Sequence, residues 1–205
     1  MVATSASIDV ARVARALGLP PRRAGGTAAA RRAAVALVLA GDAPPALLLI
    51  ERAHHDADPW SGHLALPGGR VDATDRSVRD ACEREAREEV GLDLTAARYL
   101  GELGEFAARP VAMTIAVHAY ALAAPPPLAC DPREVARAFW VPLAHVADPA
   151  RHVVHRAPRD GTARPAVRLA EPDAPVLWGL TYHFLEVLFD RLGAPLPPTG
   201  WLVER

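Results

Sequence analysis

The 205-residue sequence contains no lysine, two cysteines and few aromatic residues, which make up 5% of the chain. Two cysteines, Cys82 and Cys130, are too few for a disulfide framework, so we expect both to be free packing residues. No apolar run approaches the length of a membrane span, and Met1 to Leu17 has no basic start followed by an unbroken apolar stretch. A formal net charge of -1 offers no basic footprint for neutralising nucleic-acid phosphates. These absences predict a cytoplasmic protein that binds neither nucleic acid nor membranes.

Apolar residues are abundant instead. Hydrophobic residues make up 51% of the chain and charged residues 23%, a composition typical of globular rather than disordered proteins. A chain of this length supports one substantial core and is short for two independent domains. We therefore predict an N-terminal helix and linker over residues 1–28, and one domain over residues 29–205 that includes a closing helix.

The apolar pattern predicts an irregular alternation of strands and helices. Ile8–Leu17 has helical spacing, whereas Ala33–Ala40 and Ala46–Glu51 are short apolar runs around a Gly-Pro turn, which predicts an antiparallel strand pair. The remaining predicted elements are strands at Ala97–Leu103, Val111–Leu122 and Glu134–Val141, a short helix at Leu143–Val146, an extended excursion over Pro149–Asp173, and a closing helix at Leu177–Leu192. This order favours an α+β fold with a mixed sheet between helices.

The longest predicted helix is the charged segment Asp75–Val90, which contains neither glycine nor proline. Thr74 or Asp75 is a plausible N-cap, and Gly91 is placed for the C-terminal cap. This helix carries the residues with the clearest chemical pattern.

Three glutamates, Glu85, Glu88 and Glu89, stand at positions i, i+3 and i+4 of this helix and share one face. Like charges at this spacing repel, so the helix gains from the arrangement when a cation neutralises them. Clustered carboxylates are hard oxygen ligands suited to Mg²⁺ or Mn²⁺ rather than zinc. The alternative is a solvated charged face held by two ion pairs, Arg84 with Glu88 and Arg87 with Glu83.

The segment before the helix favours the cation. Pro67-Gly68-Gly69 indicates a tight backbone turn, and glycine lets a backbone approach a ligand closely. A loop that feeds into a helix N-terminus suits anionic phosphate groups. Together the glycines and the carboxylate face predict a site for a metal-bound polyphosphate, with Gly68 and Gly69 against the substrate.

Residues Gly69–Leu92 resemble a Nudix box, whose pattern is a glycine, an acidic residue, then Arg-Glu-apolar-any-Glu-Glu-any-Gly-apolar. Arg84–Leu92 fills the second half without a mismatch. In the first half Asp75 stands where the box has Glu, and one extra residue separates it from Arg84. Such a lengthened box after Pro-Gly-Gly resembles the coenzyme A pyrophosphatase subgroup, and so do four further segments: Leu48–Arg52, Asp131–Val135, Phe139–Leu143 and Leu177–Thr181. Where that subgroup has His followed by Gly-Gln, this chain has Trp60-Ser61-Gly62-His63.

The resemblance implies a Nudix α/β/α sandwich that hydrolyses a nucleoside diphosphate linked to another moiety, with Mg²⁺ or Mn²⁺ as cofactor. The expected metal ligands are Glu85, Glu88, Glu89 and the carbonyl of Gly69. Arg84 would fix the rotamer of a helix glutamate by a charge-assisted contact. Arg52 would contact a substrate phosphate through its forked donors. A homodimer is left open, because the sequence marks no symmetric interface.

The general base is open between a box glutamate, Glu88, and a loop carboxylate, for which Glu134 ranks ahead of Glu102 and Glu105. Three loop histidines have neither cysteine partners nor the helical spacing of a zinc site: His54, His55 and His63. Trp60 or Trp140 can stack a base, although a packed indole is commoner.

Three functions remain open at the level of the sequence. The leading one is hydrolysis of coenzyme A or its acyl derivatives. The second is the same chemistry on ADP-ribose, a nucleotide sugar or a nucleoside triphosphate. The third is a catalytically silent Nudix fold that binds a nucleotide as a regulator, against which the intact glutamates Glu85, Glu88 and Glu89 argue.

Overall fold

The computed structural model describes residues 8–23, 31–55, 60–108, 112–169 and 175–197. Its helices are α1 Val10–Leu17, α2 Val78–Val90, α3 Ala144–Ala147 and α4 Gly179–Arg191. Its strands, in chain order β1 to β10, are Arg31–Ala40, Ala46–Arg52, Leu64–Ala65, Gly68–Arg70, Arg98–Ala108, Met113–Leu122, Val135–Pro142, His152–Arg156, Ala163–Val167 and Leu177–Trp178. β1 to β7 form one sheet, and β8 to β10 form a second, smaller one.

The larger sheet is mixed, as the sequence predicts. β1 runs parallel to β6 and antiparallel to β2, which confirms the predicted hairpin. β7 pairs with β2, and β5 pairs with β6. β3 pairs with β2 and β4 pairs with β1 at the ends of these strands that lie away from the hairpin turn. The short β3–β4 segment therefore lies between β1 and β2 at that end. This pairing brings Gly68–Arg70 alongside the middle of the sheet.

Helices cover both faces of this sheet. Alternate side chains of a strand point to opposite faces. The Ala34, Ala36 and Val38 side chains of β1 share an apolar core with α2, whereas Leu37 and Leu39 share one with α1 and α4. The predicted α/β/α sandwich with a mixed sheet is therefore confirmed.

Helix α2 begins later than predicted. Its N-cap is Ser77, whose hydroxyl accepts a hydrogen bond from the Asp80 backbone N–H at 3.0 Å. Asp75, the predicted cap, instead accepts hydrogen bonds from the Asp72 backbone N–H and the Arg84 guanidinium. The predicted cap at Thr74 or Asp75 is therefore wrong. The Asp75 carboxylate is paired with Arg84 and does not cap the helix. Gly91 does end the helix, in the left-handed conformation at φ 68°.

The predicted excursion over Pro149–Asp173 is wrong where it is described. A 3₁₀ turn leads into β8 and β9, which form an antiparallel hairpin, and β10 adds to β9. Pro165 hid this hairpin from the sequence pattern, because proline donates no ladder hydrogen bond. It is accommodated in β9 because β10 pairs with its neighbours Ala166 and Val167.

Three other expectations need correction. Gly68-Gly69 lies in β4 rather than in a tight turn, and pairs with Val35 and Ala34 of β1. Leu177-Trp178 forms β10, so the closing helix starts at Gly179. The predicted strand Val111–Leu122 begins at Met113 within the described residues, and Val111 lies outside them.

Cys82 is buried and Cys130 is half-buried, and both are free, as predicted. Burial raises the pKa of the Cys82 thiol to about 12, which suits an inert packing residue. No described helix is long and apolar enough to cross a membrane.

The buried His118 side chain on β6 is expected to lower the free energy of unfolding at acidic pH. The ring is 7% exposed, and its Nδ1 atom contacts the Tyr99 hydroxyl at 3.0 Å. Burial, followed by the nearby Arg79 charge, lowers the pKa of His118 from 6.5 to about 4. The unfolded chain therefore binds the proton first, and stability present above pH 6.5 is lost as the pH falls toward 4. Between pH 7.5 and 4.5 this group removes about 2–3 kcal/mol of unfolding free energy.

Urea titrations at the two pH values test this prediction with His118→Gln, which cannot take up the proton. The variant should lose about 2–3 kcal/mol less than the wild type between pH 7.5 and 4.5. His183→Gln, which removes a half-exposed histidine of α4, is the control. An equal loss in the wild type and in His118→Gln contradicts the assignment.

Candidate active site

Three carboxylates meet at the C-terminal half of α2. Glu85 and Glu89 project from the helix, and Glu134 precedes β7, with one oxygen of each carboxylate lying within 4.8 Å of the others. Among the described residues this is the one group of three or more His, Cys, Asp or Glu side chains spaced to hold a metal ion.

The Glu134 loop is tied to the end of α2 by backbone hydrogen bonds. The Asp131 N–H donates to the Glu89 carbonyl at 3.0 Å, and the Ala129 N–H donates to the Val90 carbonyl at 3.0 Å. On its other side, the Glu134 carbonyl accepts from the Ala53 N–H at 2.9 Å. These contacts fix a carboxylate that is distant in sequence against the helix.

Glu89 is the most buried carboxylate of the group, with 2% of its surface exposed. Its Oε2 atom accepts a hydrogen bond of 2.8 Å from the Gly68 N–H. Burial raises the pKa of Glu89 to about 8, against the opposing effect of the Gly68 hydrogen bond, and the Glu85 charge raises it further. A buried carboxylate beside a second carboxylate is costly without a cation, so the electrostatics favour a metal ligand.

Glu85 lies directly against β4. A Cβ atom added at Gly69 would stand 2.4 Å from Glu85 Oε1, so a larger residue there would displace the Glu85 carboxylate from this position. Burial also raises the pKa of Glu85, while the Arg84 hydrogen bond lowers it. The close approach of Gly69 to Glu85 places a strand backbone beside the carboxylate group.

Arg84 is the hub of the surrounding ion pairs. Its Nε and Nη2 atoms donate to the two oxygens of Asp75, at 3.0 and 3.1 Å. Its Nη1 atom donates to Glu85 at 3.0 Å and to Glu88 at 2.8 Å, and Nη2 also reaches the Arg70 carbonyl at 3.0 Å. Arg84 thus holds two box glutamates, and Asp75, whose side chain is 5% exposed, holds Arg84.

Glu88 lies apart from the three-carboxylate group. Its side chain is 56% exposed and pairs with Arg84, four residues earlier. Residues i, i+3 and i+4 span an arc of about 100° on a helix, so the outer one can face solvent while the others face the sheet. The predicted ion pair of Arg84 with Glu88 is present, but Arg87 contacts Asp93.

Glu83, the predicted partner of Arg87, pairs with Arg79 instead. Glu83 accepts a hydrogen bond from Arg79 Nε at 2.8 Å, in a pair four residues apart. The predicted pair of Arg87 with Glu83 is therefore wrong, because Glu83 turns toward the sheet and Arg87 toward solvent.

Arg52 ends β2 on the side of the carboxylates. Its charge is close enough to lower the pKa of Glu89, against the larger effect of burial. Its backbone N–H donates to the His63 carbonyl, and its carbonyl accepts from the Gly62 N–H, both at 3.1 Å. Arg52 is therefore held between the carboxylates and the loop that follows β2.

The weaker candidates lie elsewhere. Glu102 and Glu105 on β5 are held by arginines, Arg23 and Arg32. Trp140 packs under α2, and its indole N–H donates to the Pro126 carbonyl at 3.3 Å. Trp60 packs against the opposite core. The loop histidines His54, His55 and His63 belong to no described group with metal-ligand spacing.

The chemistry of the carboxylate group fits a divalent ion. Mg²⁺ and Mn²⁺ take oxygen ligands, and Glu85, Glu89 and Glu134 offer carboxylate oxygens close together, in part buried. The sequence proposed the first two ligands from helical spacing. Glu134 entered as a candidate base, and the structure places it in the same group.

Comparisons with known proteins identify the class. A NUDIX domain profile matches residues 29–159. The chain is 32% identical over 157 residues to the uncharacterized Nudix hydrolase NudL of Salmonella paratyphi B, covering 73% of this chain and 76% of that protein. An uncharacterized protein of Schizosaccharomyces pombe is 39% identical over 108 residues, which are 49% of this chain and 32% of that protein.

Among solved structures, a MutT/nudix family protein from Enterococcus faecalis superposes with a TM-score of 0.56 at 17% identity, covering 91% of this chain and 70% of the other. At this identity the likeness shows the fold alone. With the domain profile and the NudL match, it establishes that the chain belongs to the Nudix hydrolase superfamily. The class is that of a Nudix pyrophosphohydrolase.

Proposed function

We propose that this protein hydrolyses the pyrophosphate bond of a nucleoside diphosphate linked to another moiety, with coenzyme A or an acyl derivative as the leading substrate. The observation that carries the proposal is the group Glu85, Glu89 and Glu134, one oxygen of each lying within 4.8 Å of the others. The coenzyme A assignment is supported by the lengthened box after Pro-Gly-Gly, whereas the similarity to NudL over three quarters of that protein supports Nudix hydrolase activity without naming a substrate.

We assign the metal site to Glu85, Glu89 and Glu134, with Glu88 and the Gly69 carbonyl as further predicted ligands. These residues would hold a divalent ion, Mg²⁺ or Mn²⁺, which would polarise phosphoryl oxygens and help to orient the displacement. Hydrolysis then joins a water oxygen to one phosphorus and breaks the bond from that phosphorus to the bridging oxygen, which leaves on the other phosphate.

The chain's own side chains bind and orient the reactants. Arg52 binds a phosphate oxygen of the substrate, and Gly68 and Gly69 let the strand backbone lie close to it. Arg84 holds Glu85 and Glu88 in fixed rotamers. Glu134 is the exposed member of its group, so we assign the carboxylate oxygen that it does not offer to the ion to accept the proton of the attacking water, with Glu88 as the alternative base.

We also propose that the domain extends beyond the matched residues 29–159 to include α4. Its buried residues Tyr182, Leu185 and Phe189 share one core with Leu37 and Leu39 of β1. Helix α1 contributes to this core as well. A cytoplasmic location remains a prediction.

A substrate panel tests the function. The purified protein is incubated with coenzyme A, ADP-ribose, a nucleotide sugar, ATP and either Mg²⁺ or Mn²⁺, and products are separated by chromatography. We expect cleavage of coenzyme A to 4′-phosphopantetheine and 3′,5′-ADP, abolished by a chelator and restored by excess metal. Preferential cleavage of another compound reassigns the substrate, chelator-insensitive cleavage contradicts the metal role, and no cleavage supports a binding-only domain.

A further inference from the structure

A cavity of about 240 Å³ lies on the far side of the loop that flanks Arg52. Loop residues Gly62 and His63 form one wall, and His155 of β8 and Trp178 of β10 form another. Its lining is mostly apolar and also includes the side chains of Pro158, Pro175 and Val176. We call this cavity the histidine pocket. Nothing in the proposed hydrolysis uses it.

Aromatic rings are concentrated in the histidine pocket. The Trp178 ring centroid lies 4.7 Å from that of His63 and 4.6 Å from that of His155. A third imidazole, His54, also lines the pocket, and Gly62, at φ 70°, packs against its ring with no room for a Cβ. Ring faces and proline side chains make a surface on which a planar ligand packs well.

Two polar groups give the pocket a hydrogen-bonding preference. Glu51 lines it with a carboxylate whose side chain is 16% exposed and pairs with Arg137. A carboxylate accepts up to about four hydrogen bonds, so Glu51 can also accept from a ligand N–H. The Nε2 atom of His155 is buried, with no hydrogen-bond partner among the described residues. A buried nitrogen without a partner is unfavourable, and a ligand atom can supply one.

The pocket is close to the carboxylate group. The Ala53 N–H bonds to the Glu134 carbonyl, and the adjacent Arg52 pairs with Gly62 and His63. Neighbouring strands lie about 4.8 Å apart, so the Glu134 backbone and the loop backbone at Gly62 are roughly 10 Å apart, while Glu51 and Arg52, as successive residues of β2, point to opposite faces of the sheet. A nucleoside that extends from a diphosphate held at the carboxylates would pass around the end of β2 to enter the pocket. Ligand pockets for whole drug-sized molecules are about 300–1,000 Å³, so a smaller cavity suits one ring system.

We propose that the histidine pocket binds the base of the nucleoside diphosphate and selects one with an exocyclic amine, adenine above all. The ring packs among Trp178, His155 and the apolar wall. The amine donates to the Glu51 carboxylate, which would repel a carbonyl oxygen at the same position. This role rests on the proposed function, because it places the base relative to a diphosphate at the carboxylate group. It assigns specificity, and not catalysis, to Trp178, His155 and Glu51.

Direct binding of AMP and IMP to the full chain, by isothermal titration calorimetry in EDTA, tests the pocket without hydrolysis. IMP carries a carbonyl oxygen where AMP has the amine. We expect AMP to bind at least about tenfold more tightly, since a hydrogen bond to a charged group is gained and a repulsion avoided. Equal affinities, or tighter binding of 4′-phosphopantetheine than of AMP, overturn the assignment.

Variants locate the site of binding. Trp178→Ala should weaken AMP binding about tenfold, Trp178→Phe should restore most of it, and His155→Ala should act like Trp178→Ala. Glu51→Gln should abolish the preference for AMP over IMP, because the amide can donate as well as accept. Two controls remove the same residue types outside the pocket, Trp140→Phe and His152→Gln.

Kinetics distinguish failure of this inference from failure of the proposed function. With the substrate that the panel identifies, His155→Ala should raise KM about tenfold and change kcat less than about threefold. If no pyrophosphate is cleaved, the proposed function fails while AMP titration still decides the pocket. If cleavage occurs but KM and AMP affinity are unchanged in Trp178→Ala, His155→Ala and Glu51→Gln, the pocket does not hold the base.

Discussion

Glu89→Gln is expected to lower kcat by at least about 10³-fold, equal to about 4 kcal/mol of transition-state stabilisation. Glu89 is the most buried member of the carboxylate group. The neutral amide of the substituted glutamine cannot offset the charge of a divalent ion. The fold should persist, because glutamine has nearly the same size as glutamate and its amide oxygen can still accept from the Gly68 N–H. Steady-state kinetics and a thermal melt measure the two effects.

Glu83→Gln is the matched control for this experiment. Glu83 lies on the same helix, but its carboxylate accepts hydrogen bonds from Arg79 and Tyr120 rather than joining the group at Glu89. Its kcat should stay within about tenfold of the wild type. Activity of Glu89→Gln equal to that of the control would remove Glu89 from the mechanism.

Arg84→Lys is expected to lower kcat by about 10–100-fold, the range found when groups that orient metal ligands are changed. An ammonium cannot reproduce the forked contacts of Arg84 with Asp75, nor hold Glu85 and Glu88 at the same time. Asp75→Asn should act in the same direction, because it loosens Arg84. Arg84 and Asp75 are positioning residues in this account.

A loss of Mn²⁺ affinity separates positioning from simple stability. Arg84→Lys and Asp75→Asn should weaken Mn²⁺ binding along with kcat, whereas Arg87→Lys, next to an exposed partner Asp93, should change neither. If the two variants melt at lower temperature but bind Mn²⁺ and turn over like the wild type, Arg84 is a structural residue only.

The sequence predicts the helical part of the site well, because helix periodicity is local. The pairing of Arg84 with Glu88 is confirmed, and the box glutamates Glu85 and Glu89 lie close together, while their role as metal ligands stays a prediction. Helical spacing could not tell that Glu88 lies on the solvent side, because that depends on how α2 is rotated against the sheet.

Contacts between segments that are distant in sequence could not be predicted from the sequence. Glu134 joins Glu89 through backbone hydrogen bonds of the loop before β7, and no periodicity links the two. Asp75 looked like an N-cap because aspartate is a frequent cap, and its pairing with Arg84 overrides that preference. The position of Asp75 in the box, where the family pattern has an acidic residue, was the signal that could have indicated a role other than capping.

The histidine pocket could not be predicted from the sequence either, because its residues come from segments that are far apart in the chain. Its rings come from the loop after β2, from β8 and from β10, and Pro165 concealed the hairpin that carries His155. Trp178 falls within the segment predicted as the closing helix, whereas the structure places it in β10 at the pocket wall. Only the tertiary fold brings Trp178, His63 and His155 together.

Anomalous diffraction from crystals grown with Mn²⁺ tests the central claim most directly. We expect one strong peak among the carboxylates of Glu85, Glu89 and Glu134, with metal–oxygen distances of about 2.0–2.3 Å, and no such peak in crystals of Glu89→Gln. A Mn²⁺ ion bound elsewhere, with these three side chains turned away from it, would contradict the claim.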